Sequence, residues 1–235
     1  MFPLLYKSTP YFDIQIIESN FQIIVSQRWK IIHNHKISLE KIEHFKRMTK
    51  NIIDVLWNNK FWVRVKGTSR FAIKNKRTVF SIQFQLEWVH RRAHWKVDLF
   101  PTDRQSSVNW HNRYIELDLE DTQLQEKVGS NGKIFQYPIA HEFGHTIGNI
   151  REFVSLSHMS SRPYQLFHKI NHDDEYKIEG TSAIIRKENH LRKRYISDKN
   201  SIMNIGNQIR DRHIDYILLE LNSLFLDDTE FILDK

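Results

Sequence analysis

The sequence predicts an α+β fold. β-rich runs dominate the first half and helical patterns dominate the end. From Ile14 to Ile32, IQIIESNFQIIVSQRWKII reads as two strands about a turn at Glu18, Ser19 and Asn20. Ser38 is a candidate N-cap for a following helix, whose apolar positions Leu39, Ile42, Phe45, Ile52, Ile53 and Leu56 recur near helical spacing. After Asn58 and Asn59 come FWVRV, VFSIQFQLEWV, HWKVDLF and RYIELDLE, read as neighbouring strands. In the last of these Ile115, Leu117 and Leu119 alternate with Tyr114, Glu116, Asp118 and Glu120, an acidic and solvated face. Pro138 suits a first helical position and Gly148 a helix end, so PIAHEFGHTIG reads as a short helix burying Ala140, Phe143 and Ile147. The polar, irregular stretch 149–200 has the length of a functional segment. A last helix is expected over Gln208 to Leu226, with Ile214, Ile217, Leu218, Leu221 and Phe225 on one side.

Within 235 residues there is no internal repeat, low-complexity tract or Pro/Gly linker, so residues 1–235 are expected to form a single domain. The formal charge of +7 is scattered through RFAIKNKR, HRRAHWK and IIRKENHLRKRY, which favours solubility or adhesion to anionic surfaces and selects no fold. Cysteine is absent, so a disulfide framework is excluded and any metal must be held by nitrogen and oxygen. The N-terminal stretch lacks the pattern of an export signal, and no apolar run approaches the ~18 residues of a membrane span. A soluble monomer is expected.

The residues that point to chemistry are His141, Glu142 and His145. Two histidines one helical turn apart share a face, with Cβ atoms ~5–6 Å apart, close enough to hold one Zn2+ ion. Glu142 then lies beside the open coordination position as the general base of peptide-bond hydrolysis by metal-activated water. The competing reading is two surface histidines on an ordinary helix. His90 and His94 share the same spacing, but HRRAH reads as a basic hairpin turn; His33 and His35 merely flank an asparagine. There is no nucleophile elbow, Walker loop or glycine-rich dinucleotide fingerprint, which removes support for serine hydrolases and nucleotide-dependent enzymes.

HEFGHTIG, DEYK at Asp174 to Lys177 and SIMNIGNQIRDRHID at Ser201 to Asp215 together resemble the zincin metallopeptidase domains of type VI secretion effectors and related bacterial polymorphic toxins. The match covers mainly the last hundred residues; upstream it rests on a tryptophan-containing strand, a helix and WNNKFWV. The resemblance implies a zincin-like fold, with a twisted mixed β-sheet, an HExxH helix beneath it and a helical C-terminal part carrying a methionine turn. SIMN is similar to that turn, which implies Met203 as an apolar floor under the metal. In the commoner three-histidine pattern the last ligand falls on Arg151, whose protonated guanidinium has no lone pair to offer. The family likeness instead implies an acidic triplet displaced by an insertion after Gly148, with Glu175 as the favoured ligand, then Asp174 and Glu152, then Asp173, Glu179 or Glu188. Tyr176 would stabilise the oxyanion or pack, and His213 with Arg212 would bind substrate, contact carboxylates behind the ligands, or serve as cap and ion pair. A substrate strand would pair with RYIELDLE as the sheet edge.

What the likeness implies biologically is an antibacterial zinc metalloendopeptidase made in the bacterial cytoplasm and delivered into target cells. Its partners would be a protein or peptide substrate, a cognate immunity protein and a secretion-apparatus spike or adaptor, with no nucleic acid and no membrane span. The alternatives are a general intracellular zinc peptidase and a catalytically inactive basic binding protein.

Overall fold

A computed structural model describes residues 5–33, 36–129, 132–148, 153–156, 164–167 and 198–234. It is a mixed α+β structure built on a nine-stranded mixed sheet. β1 (Leu5–Ser8) and β2 (Asp13–Ile17) form a hairpin, and β2 turns through a single 3-10 turn at Glu18–Asn20 into the long β3 (Gln22–His33). Then come α1 (Leu39–Trp57), β4 (Phe61–Gly67), the short α2 (Arg70–Lys74), β5 (Val79–Trp88), β6 (Trp95–Phe100), β7 (Ser107–Asn109) and β8 (Tyr114–Asp118). β9 (Gln125–Gly129) and β10 (Gly132–Gln136) make a separate hairpin leading into α3 (Pro138–Ile147). β11 (Phe153–Leu156) pairs with β12 (Tyr164–Phe167), and α4 (Asp215–Asn222) precedes β13 (Thr229–Leu233).

The strand order β13-β4-β5-β3-β6-β8-β7 has a parallel centre, β5-β3-β6-β8, with antiparallel margins. β3 organises it. One edge of β3 takes β5 from Gln22 to Trp29, while the other takes β2 as far as Ser26 and then β6 from Trp29 onward. HRRAH is therefore not a hairpin turn. It carries the chain across β3, where His94 N–H donates to the Arg28 carbonyl at 2.7 Å and Arg28 N–H donates back to His94 Nδ1 at 2.9 Å. Burial pushes the His94 imidazole below its ordinary pKa.

β8 is not an edge either. β6 flanks it on one side and β7 on the other, so among the described residues β7 ends the sheet there. The expected acidic face of RYIELDLE is also only partly solvated: Asp118 is buried and accepts from the amides of Glu120 and Asp121 in the 3-10 turn that follows. The C-terminal part is less helical than expected. A 3-10 turn over Asp211–Ile214 opens the short α4, and the chain then returns as β13, antiparallel to β4. Asn222 clasps that return, its side chain accepting from Phe231 N–H and donating to the Phe231 carbonyl.

α1 begins as the sequence reading expects: the Ser38 hydroxyl accepts from Lys41 N–H at 3.4 Å, a cap worth about 1 kcal/mol. Its buried face is Ile42, Phe45, Thr49, Ile52, Ile53 and Trp57, while Leu39 is exposed. α1 and α3 lie side by side on one sheet face, with Phe143 of α3 packed edge-on against Trp57 at 5.4 Å and Phe84 at 5.6 Å, and tilted against Trp29 at 6.4 Å. Removing one such buried aromatic side chain costs about 3–5 kcal/mol.

Asp121 packs beneath the same layer. Its carboxylate accepts from the Ser106 hydroxyl at 2.6 Å and from Asp118 N–H at 2.8 Å, and burial pushes it up to about 7 from 3.8. Because the folded value exceeds the unfolded one, the native state holds this proton more tightly, and the contribution of Asp121 to stability falls as pH rises through that window. Asp121→Asn is expected to gain stability relative to wild type between about pH 5 and about pH 8. Urea unfolding at both pH values checks this, and a constant difference would refute it.

Candidate metal centre

α3 starts without a side-chain cap. Pro138 supplies the first helical residue, and Gly148, at φ 86°, takes the chain out of the helix. Every described residue of α3 except His145 is buried, including His141 and Glu142, at 5% and 6% exposure. Burying a carboxylate on a helix that also packs into an aromatic layer is costly unless it is paired or hydrogen-bonded.

His141 Nδ1 lies 2.6 Å from the Ile202 carbonyl oxygen. A carbonyl can only accept, so the ring proton sits on Nδ1 and Nε2 carries the lone pair. That Nε2 stands 3.1 Å from His145 Nε2, with the two rings nearly perpendicular at 80°. Two nitrogen ligands ~2.0–2.1 Å from a tetrahedral zinc ion would be ~3.3 Å apart. Facing lone pairs at this distance repel unless a proton or a cation lies between them. The pair therefore fits a zinc ion in both separation and donor chemistry.

The SIMN stretch lies directly against this pair. Met203 Sδ would be 2.3 Å from a Cβ built on Gly144, and Trp57 closes the same space at 3.1 Å, so only glycine lets the turn approach the helix this closely. The turn is internally braced: Asn204 and Gly206 amides donate to the Ser201 carbonyl, and Ile202 N–H donates to the Gln208 carbonyl. His213 lies within this brace at 2% exposure, its Nδ1 accepting from Arg210 N–H at 3.1 Å and its Nε2 donating to Ser201 Oγ at 3.2 Å. Arg210 and Arg212 both bind the Asp198 carboxylate, which Arg210 foremost holds at about 2.

His141, Glu142, His145, Met203, His213 and Arg212 are thus gathered around one helix and one turn. Glu175, Tyr176, Asp174, Asp173, Glu152, Glu179, Glu188 and Arg151 lie outside the described residues. Among the described residues no group of three or more His, Asp or Glu side chains is arranged to hold a metal ion. Two polar residues near α3 had no sequence signal. Gln27, fully buried in β3, donates to the Thr146 and Tyr11 carbonyls and accepts from Trp29 Nε1, fastening the end of α3. Gln136, the last residue of β10, reaches into the SIMN turn. A glutamine within or at the end of a strand ordinarily reads as solvent-facing.

Compared with protein-family models, with curated proteins and with solved structures, the chain matches none of them.

Gly144→Ala is expected to destabilise the fold by about 1–3 kcal/mol, because its methyl collides with the Met203 thioether and the Trp57 ring. Met203→Ala relieves part of that collision, so the double variant should lose less than the two single losses added. Urea unfolding of all three variants checks this; strict additivity would mean that the two residues do not press on one another.

Proposed function

We propose that this chain is a zinc-dependent metalloendopeptidase with a zincin-like core, formed by residues 1–235 as one domain. The observation that carries the reading is the pair of imidazole Nε2 atoms 3.1 Å apart, with the Nδ1 proton of His141 committed to a backbone carbonyl. His141 and His145 would hold the ion together with one carboxylate, Glu175 by preference and Asp174 or Glu152 next. Zinc, when bound, polarises a scissile carbonyl and lowers the pKa of water to about 7. Glu142 accepts a proton from the attacking water and returns it to the departing amine. Tyr176 would stabilise the developing oxyanion, and His213 acts through Ser201 on the turn rather than on substrate. An extended peptide adds to Ser107–Asn109, the sheet edge that lies against α3, in place of the edge first assigned to RYIELDLE.

The biological role rests on the likeness of HEFGHTIG, DEYK and SIMN to zincin effector domains. On that reading the protein is an antibacterial toxin, with an immunity protein guarding the producer and a secretion spike or adaptor carrying it. No helix among the described residues is long and apolar enough to cross a membrane.

Metal content and casein proteolysis of the wild type and of Glu142→Ala, Glu175→Gln and Glu152→Gln test the enzyme reading. Wild type should carry stoichiometric zinc. Glu142→Ala should keep the zinc and lose at least about 10²-fold in activity, the usual scale of a general base. Glu175→Gln should lose zinc. Zinc retained there and lost in Glu152→Gln would move the third ligand to Glu152, and a wild type that binds none would overturn the proposal.

A further inference from the structure

We infer that Gln136 is a positioning residue for the metal centre, and that it acts by fixing the tautomer of His141. This rests on the zinc reading above. Gln136 is 4% exposed, and its amide nitrogen lies 3.0 Å from the Ile202 carbonyl, 2.9 Å from that of Asn204 and 3.0 Å from that of Gly206. Three carbonyls of one turn thus converge on one NH2 group, which has only two protons, so one of the contacts is shared. His141 Nδ1 also lies 3.3 Å from this nitrogen. Both groups are donors, since Nδ1–H is already committed to the Ile202 carbonyl at 2.6 Å, so this contact is packing and not a hydrogen bond.

The Ile202 carbonyl consequently receives two donors, His141 Nδ1–H and the Gln136 amide. The amide holds the oxygen at the one place from which it can accept the imidazole proton. Asn207 returns the connection from the turn, accepting from Tyr137 N–H at 3.0 Å and donating to the Phe135 carbonyl at 3.1 Å. The residues on either side of Gln136 are therefore tied to the turn that its own side chain enters. The last strand residue before α3 and the SIMN turn are locked together, and the locked element is the hydrogen-bond partner behind a metal-binding imidazole.

Gln136→Met keeps the length of the side chain and removes both donors. Zinc affinity, measured by chelator competition, should fall about 10–100-fold, the usual effect of losing a partner behind a ligand. The visible spectrum of the cobalt-substituted protein should change with it. In the metal-free protein, imidazole nitrogen NMR should show His141 as the Nδ1–H tautomer in wild type and as a mixture in Gln136→Met. Gln136→Asn, with its donors on a shorter stem, should fall between the two and serves if the methionine variant does not fold. Thr146→Val, which loses the hydroxyl placed 2.9 Å from Gln27 Oε1 on the same helix, should be less stable yet keep wild-type zinc affinity and the wild-type tautomer. An unchanged tautomer in Gln136→Met overturns the inference whether or not zinc binds. A changed tautomer in a protein that takes up no zinc leaves the control of the His141 tautomer standing, and sinks the zinc reading and the metal-positioning role with it.

Discussion

The bond from His141 Nδ1 to the Ile202 carbonyl joins two parts of the chain that otherwise fold by separate rules. α3 is a local object, set by a proline at one end, a glycine at the other and an apolar face between them. The SIMN turn is held from its own side, by Ser201, Gln208 and His213, and beyond them by the Asp198 carboxylate clamped between Arg210 and Arg212. Neither unit by itself would aim an imidazole. Once they are joined, the direction of the His141 ring is decided by a backbone oxygen that cannot rotate away, and its Nε2 meets that of His145, one turn along, at 3.1 Å.

A join of this kind tolerates little play, and the packing around it is correspondingly tight. Phe143 is surrounded by Trp29, Trp57 and Phe84, and Trp57 also donates its indole N–H to the Ala140 carbonyl at 3.1 Å. Gln27 fastens the far end of the helix from β3. Polar residues buried this deeply are expensive when a partner is missing, and here the amide nitrogens of Gln27 and Gln136 meet carbonyls. Dispersion contacts hold the helix in place, Gln27 ties its end to β3, and Gln136 ties the strand before it to the turn.

Much of this was legible in the sequence because much of it is local. Ser38, Pro138 and Gly148 mark helix ends by chemistry that acts over a few residues, and the spacing of His141 and His145 is a property of one helical turn. Family likeness raises the expectation of Met203 near the helix, and the approach of its thioether to α3 depends on the bare Cα of Gly144. The sheet order was not legible. HRRAH has the composition of a turn whether the strands it joins are neighbours or lie on opposite sides of β3, and only the pairing of Trp29 with both Trp88 and Trp95 separates the two cases. β13 escaped because TEFIL follows a helical pattern with little turn signal, and its strand character comes from pairing with β4. The partner of His141 Nδ1 is a main-chain oxygen, and main-chain atoms leave no mark in a sequence.

The end of α3 also bears on how Arg151 should be understood. In a helix, a third ligand on the face of His141 and His145 would have to recur one or two turns further along. Gly148, at φ 86°, ends that register just after His145. Helical spacing from His145 therefore does not decide which later residue would complete the set. Charge, reach and donor type govern it instead. A guanidinium fails on donor type whatever its position, whereas a carboxylate would bring a negative charge that offsets part of the charge of a divalent ion. The arginine in HEFGHTIGNIREF therefore fails as a third ligand through its chemistry and not through its place in the chain, since a three-histidine centre also takes its last donor from beyond the glycine.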